Sequence, residues 1–91
     1  MEIKIKAMGL DQYEKYLAFI SDGYEEVNAK KKRAAEFALE AQKWVVKEIY
    51  GLDPYEMRPG TLRYIADKTV ELTEKSEIED EKNSETSGNG E

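Results

Sequence analysis

Apolar residues alternate with charged ones at the start of the chain and recur every three to four residues after it. Over residues 1–8, Ile3, Ile5 and Ala7 fall on one side and Glu2, Lys4 and Lys6 on the other, the period of a half-buried β-strand. A lone strand leaves its backbone groups unpaired. The segment is therefore expected to pair with a second copy, with another chain or with a later strand, or else to pack as an extended arm.

Gly9 closes that segment, and Asp11 with Glu14 reads as a capping box for a helix carrying Tyr13, Tyr16, Leu17 and Ile20. Ser21, Asp22 and Gly23 interrupt the pattern, and Asp22 with Glu25 offers a second box. From there Tyr24, Val27, Lys31, Ala34, Ala38, Ala41, Val45 and Glu48 alternate in steps of three and four. The spacing predicts one helix over residues 23–50, about 42 Å long at ~1.5 Å per residue, with a break near Asn28 as the alternative. Its second half holds the strongest core signal. Ala35, Leu39, Val46 and Ile49 form a stripe beside Phe37, Ala41, Trp44, Val45 and Glu48, a face wide enough to require more than one packing partner.

Gly51 suits a left-handed helix end, with Leu52 folding back on the last turn. Asp53, Pro54, Tyr55 and Glu56 read as cap, first-turn proline and reciprocal carboxylate of a single turn, which residues 58–60 terminate. A last helix starts at Pro59 or Thr61, carries Leu62, Ile65, Ala66, Thr69, Val70 and Thr73 on one stripe, and ends near Lys75. The pattern thus describes a mainly α domain over residues 1–75: three helices with a short N-terminal β-strand. Residues 76–91 hold six acidic residues against Lys82, with Ile78 as the one large aliphatic side chain. That composition predicts a disordered acidic C-terminal tail, which takes −5 of the formal charge of −6 and leaves the body near neutral.

A body of this size is near the lower limit for one hydrophobic core without disulfides, metal or oligomerisation. Zero cysteine removes thiolate chemistry and suits a reducing cytoplasm; zero histidine removes the usual proton shuttle and imidazole metal ligand. No cofactor is implied. No apolar run approaches the ~18–20 residues of a membrane span, and the first residues do not read as a cleavable signal. Glu36 with Glu40 and Glu71 with Glu74 have the spacing of solvated helix faces, not of a catalytic pair in an apolar pocket. Gly88, Asn89 and Gly90 lack the strand and helix that flank a phosphate loop.

Four consecutive cations, Lys30, Lys31, Lys32 and Arg33, could grip phosphate. On a helix they would point around the whole circumference, and Glu25, Glu26 and Glu36 flank them, so a solvated segment or a contact to an acidic protein, this chain's own tail included, is the better reading than nucleic acid. The six tyrosines suit either the rim of a small core or a contact surface. Tyr55 and Tyr64, beside the two prolines, are the candidates for surface contact. Phe37, Trp44 and Val45 on the wide face complete the candidate protein-binding set, although Trp44 in that company also reads as core.

The run W-V-V-K-E-I-Y-G-L (residues 44–52), the turn D-P-Y-E-M-R-P-G-T-L (53–62), the helix I-A-D-K-T-V-E-L-T (65–73) and the tail E-K-N-S-E-T-S-G-N-G-E (81–91) together resemble the short tail assembly chaperones of long-tailed bacteriophages and prophages. The likeness covers about half of the chain and lies in length, element order and tail type. It implies a non-enzymatic, largely helical protein of the host cytoplasm. Such a protein would bind the tape measure protein and tail-tube subunits during tail assembly, with a longer frameshifted form in many members. Other functions compatible with the residues are a structural connector or decoration protein of a phage particle and an acidic mimic of nucleic acid. A chaperone needs apolar surface beyond what its own core consumes, and the expectation is that the face of residues 35–49 supplies it while the tail supplies solubilising charge. Pairing through the N-terminal strand would make the chain a homo-oligomer.

Overall fold

The computed structural model describes residues 2–76. Three α-helices, α1 (Leu10–Asn28), α2 (Ala34–Tyr50) and α3 (Pro59–Thr73), follow an extended N-terminal arm, and a 3₁₀ turn, Pro54–Glu56, joins α2 to α3. The acidic tail expected over residues 76–91 lies, apart from Ser76, outside the described residues.

Helix α2 is the centre of the molecule because it is the one helix apolar on two sides. Val45 and Ile49 join Met8 of the arm and Ala66 of α3 in one buried cluster, rimmed by Tyr13, Tyr16, Trp44, Tyr50 and Val70. Val46, with no exposed surface, joins Leu62 and Ile65 of α3 in a second, covered by Ile3, Ile5, Leu52 and Met57. Burying a side chain of that size contributes ~1.5–3 kcal/mol, so α3 docks on α2 through a small number of large terms. Towards α1 the seam is aromatic: Trp44 lies 5.7 Å from the ring of Tyr16 and 5.8 Å from Phe19, while Phe37 lies 6.1 Å from Phe19 and meets Tyr24 edge-on at 5.3 Å.

The long helix expected over residues 23–50 is two helices, and the break falls after Asn28, where the alternative placed it. Ser21, Asp22 and Gly23 do not interrupt α1, which runs straight through them. Gly23 is buried because the ring of Phe37 rests on its backbone: a methyl group there would stand 1.9 Å from Cε1 of that ring. The glycine therefore marks a close helix–helix approach inside α1. Asp11 is likewise not the cap. The helix starts at Leu10, and the N–H of Gly9 donates to Oε1 of Gln12 at 2.9 Å.

Helix α1 ends in a Schellman arrangement in which the N–H groups of Lys30 and Lys31 donate to the carbonyls of Val27 (3.0 Å) and Glu26 (2.9 Å). The position that must turn left-handed is Lys30, with φ of 63°. A side chain there is strained by ~1–2 kcal/mol, whereas glycine is not. Lys30→Gly is therefore expected to stabilise the fold by about 0.5–1 kcal/mol after glycine's greater unfolded-state entropy is subtracted, read as a higher urea midpoint at unchanged m-value. Lys32 then ties the two helices, with its Nζ 2.8 Å from Glu26 of α1 and 2.6 Å from Glu40 of α2. The two carboxylates raise the pKa of Lys32, and Lys32 in turn lowers that of Glu26.

Helix α2 ends as expected, with Gly51 left-handed (φ 67°) and Leu52 N–H folded back to the Val46 carbonyl at 3.3 Å. Asp53 caps the following turn by accepting from the N–H of Tyr55 at 3.0 Å. Helix α3 starts at Pro59, one of the two expected starts, so residues 59 and 60 open it and do not terminate the preceding turn.

The N-terminal strand is not formed among the described residues. Ile3 and Ile5 are half-buried and Glu2, Lys4 and Lys6 exposed, so the period-two pattern holds over residues 2–6; it breaks after them, where Ala7, expected on the isoleucine side, is exposed and Met8 is buried, and what covers the isoleucines is the surface of α2 and α3. Side-chain hydroxyls replace a neighbouring strand: the N–H of Lys6 donates to the Tyr50 hydroxyl at 3.0 Å and that of Met8 to Thr73 Oγ1 at 2.9 Å. Alternation records which side chains are buried and leaves open whether sheet or helix buries them.

Candidate protein-contact surfaces

The five residues expected to contact a partner separate into three environments. Phe37 and Val45 are 6% and 1% exposed and belong to the core, closed over by α1 and by α3 with the arm respectively. In this structure both side chains pack in the interior, not on the surface. The surplus of apolar surface expected on residues 35–49 shrinks accordingly: Val46 and Ile49 are buried too, and Leu39 is the one large aliphatic of that face left exposed.

Trp44 and Tyr55 are brought together. They line one open cleft of about 380 Å³ with Phe19, Pro54, Lys43 and Lys47, flanked by Glu40 and Glu48. The half-buried indole forms its wall, and Tyr55, 79% exposed, stands at its edge. Tyr55 is nevertheless fixed. The Asp53 cap and buried Pro54 set its backbone, and Lys43 Nζ donates to its hydroxyl at 2.8 Å from a position 5.0 Å from the ring centroid. Exposed aromatic area held in one orientation loses little conformational entropy on binding, which is the property of interface anchors.

Tyr64 belongs to a different groove, of about 410 Å³, walled by Ile3 and Ile5 of the arm, Met57, and Thr61 and Ile65 of α3. Its ring is 58% exposed and lies 5.9 Å from Lys68 Nζ. The arm's half of this groove was missed in the sequence. The two isoleucines of the alternating segment were the available signal, but a strand reading committed them to an unseen sheet.

The basic run occupies the turn between α1 and α2, not a helix. Its cations are therefore gathered at one end of the helix pair, around an open hollow that Val27 and Ala34 also line. Lys32 is engaged by Glu26 and Glu40, which leaves Lys30, Lys31 and Arg33 projecting. Among the described residues no group of three histidine, cysteine, aspartate or glutamate side chains is placed to hold a metal ion, and no helix is long and apolar enough to cross a membrane.

Comparison of the chain with protein-family models, with curated proteins and with solved structures gave no match.

Proposed function

We propose that this chain works by binding other proteins, and specifically that it is a non-enzymatic tail assembly chaperone of a long-tailed phage or prophage, acting in the host cytoplasm on the tape measure protein and tail-tube subunits. The observation that carries the binding half of the proposal is the cleft of Trp44 and Tyr55, where a largely exposed tyrosine, hydrogen-bonded through its hydroxyl to Lys43, stands beside a half-buried tryptophan. Such pairs account for much of the affinity of protein interfaces. The resemblance of residues 44–91 to tail assembly chaperones supports the choice of client. Because the core consumes most of the α2 face, the client contact is assigned to the cleft and not to residues 35–49 as a whole.

The test is whether the purified chain keeps an apolar segment of the tape measure protein from the same genome in solution, and binds it. Tyr55→Ala removes exposed aromatic surface without opening the core, so folding should survive while the Kd rises roughly tenfold or more, the usual range for an interface anchor. Failure of the native chain to bind or solubilise the segment ends the chaperone reading. Equal binding by Tyr55→Ala moves the contact elsewhere on the surface.

A further inference from the structure

The arm over residues 2–8 pairs with no strand among the described residues, but it has one edge that faces the body and one that is open. In an extended chain the N–H and C=O groups of residues i and i+2 share an edge. The N–H of Lys6 donates to the Tyr50 hydroxyl, and that hydroxyl also lies 3.4 Å from the Lys6 carbonyl oxygen, so the edge of Lys6 and Lys4 faces the body. The opposite edge belongs to Ile3 and Ile5. Neither residue has a hydrogen-bond partner among the described residues. The arm is thus pre-extended, fixed along one side, and bare along the other, the state that invites addition of another strand.

We infer that the occupant of this edge is the arm of a second copy, paired antiparallel about a two-fold axis through Ile3. Charge selects both partner and register. Pairing across the open edge sets odd residues opposite odd ones and even opposite even. Ile5 opposite Ile5 sets Lys4 against Lys6 twice, Ile3 opposite Ile5 sets Glu2 against Lys6 but places Lys4 against Lys4 at its centre, and a register one step shorter than the proposed one sets Glu2 against Glu2. Of the registers that centre on residues 2–5, Ile3 opposite Ile3 is the one that juxtaposes no like charges: it sets Glu2 against Lys4, twice, on the solvent face. Directly opposed pairs of this kind contribute to sheet pairing when unlike and oppose it when alike.

The geometry also accounts for the groove beside the arm. A two-fold perpendicular to an antiparallel ribbon keeps the inward side chains of both strands on one face, so each copy's Ile3 and Ile5 point towards the helices beneath. The second strand lies ~4.8 Å from the first and extends the roof over the groove that now leaves Tyr64 exposed. The inference does not depend on the identity of any client.

The test uses charge exchange on the exposed face of the full chain. The native protein is expected to sediment at twice its 10.5 kDa. Glu2→Lys and Lys4→Glu each create like-charge pairs and should each raise the dimer Kd roughly tenfold or more, while circular dichroism stays unchanged because both side chains are exposed. Mixing the two variants one to one restores unlike pairs at both positions, so a heterodimer should form from two chains that do not self-associate; the double variant should dimerise alone. A monomeric native chain, single variants that dimerise as the native chain does, or a mixture that stays monomeric would each overturn the proposal. Client binding through Tyr55 is read separately with the single variants, so the loss of one result leaves the other standing.

Discussion

Gly23→Ala will destabilise this protein by about 2–3 kcal/mol, the upper part of the range for overpacking a close-packed seam. In an open helix the same substitution is worth ~1 kcal/mol in the other direction, because alanine loses less backbone entropy than glycine. Here the added methyl group would stand 1.9, 2.3 and 2.5 Å from three carbons of the Phe37 ring, and that ring is 6% exposed with Phe19 and Tyr24 against it. The ring has to leave its pocket or α1 has to move away from α2. A domain of this size responds to each kcal/mol with a shift of ~4–8 °C, so thermal denaturation should show a fall of about 10 °C or more. The decisive control is the same change in a Phe37→Ala background. That background loses ~3–5 kcal/mol by itself, but with the ring gone Gly23→Ala should become neutral or stabilising. A penalty that persists without the ring would mean that the glycine is needed for something other than the approach of Phe37.

That coupling explains where the sequence misled. Gly23 follows Ser21 and Asp22, three residues of low helix preference, and local preference alone ends the helix there. Tertiary packing outweighs the preference, because one glycine on the α2 side of α1 lets an aromatic ring sit against the backbone. The true break carries a weaker local signal. Its left-handed position is a lysine, and its closing bonds are backbone to backbone, so residues 29–33 read as a continuation of the cationic helix face. Where punctuation and packing agree, as at Gly51, Asp53 and Pro59, the elements were legible to within a residue or two.

The contact surfaces were legible in proportion to their exposure. Tyr55 and Tyr64 stood out by their nearness to Pro54 and Pro59, and both are exposed, Tyr55 on the 3₁₀ turn and Tyr64 within α3. Phe37 and Val45 belong to helical stripes that spacing describes as apolar without saying how much the rest of the chain covers. Covering them takes α1, α3 and the arm together. The arm's share could not be counted while it was read as a strand awaiting a sheet. Once it is placed over α2 and α3, the surplus apolar surface of the chain shifts from the middle of α2 to the two grooves beside it.

The hydroxyl of Tyr50 is the single atom on which the placement of that arm turns. Removing it with Tyr50→Phe is expected to destabilise the fold by ~1–3 kcal/mol, the usual consequence of leaving a buried polar group without its partner. Thr69 has no exposed surface, and its Oγ1 lies 2.6 Å from the Tyr50 oxygen; the same oxygen accepts the N–H of Lys6 at 3.0 Å. One deleted atom therefore strands the threonine hydroxyl inside and frees the arm's amide outside. The two consequences separate experimentally. In the Tyr50→Phe, Thr69→Val double variant the interior mismatch disappears, since valine matches threonine in shape and needs no partner, and most of the lost stability should return. The arm should stay loose in both, so the Lys6 amide exchanges its hydrogen faster, while Met8, held by Thr73 Oγ1, keeps more protection. Thr73 is independent of Tyr50 because its own hydroxyl is anchored to the Thr69 carbonyl at 2.6 Å, a backbone acceptor that neither substitution removes. If Lys6 exchange is unchanged in Tyr50→Phe, the isoleucine side chains alone hold the arm, and the closed edge assigned to Lys6 loses its basis along with the register argued for the open one.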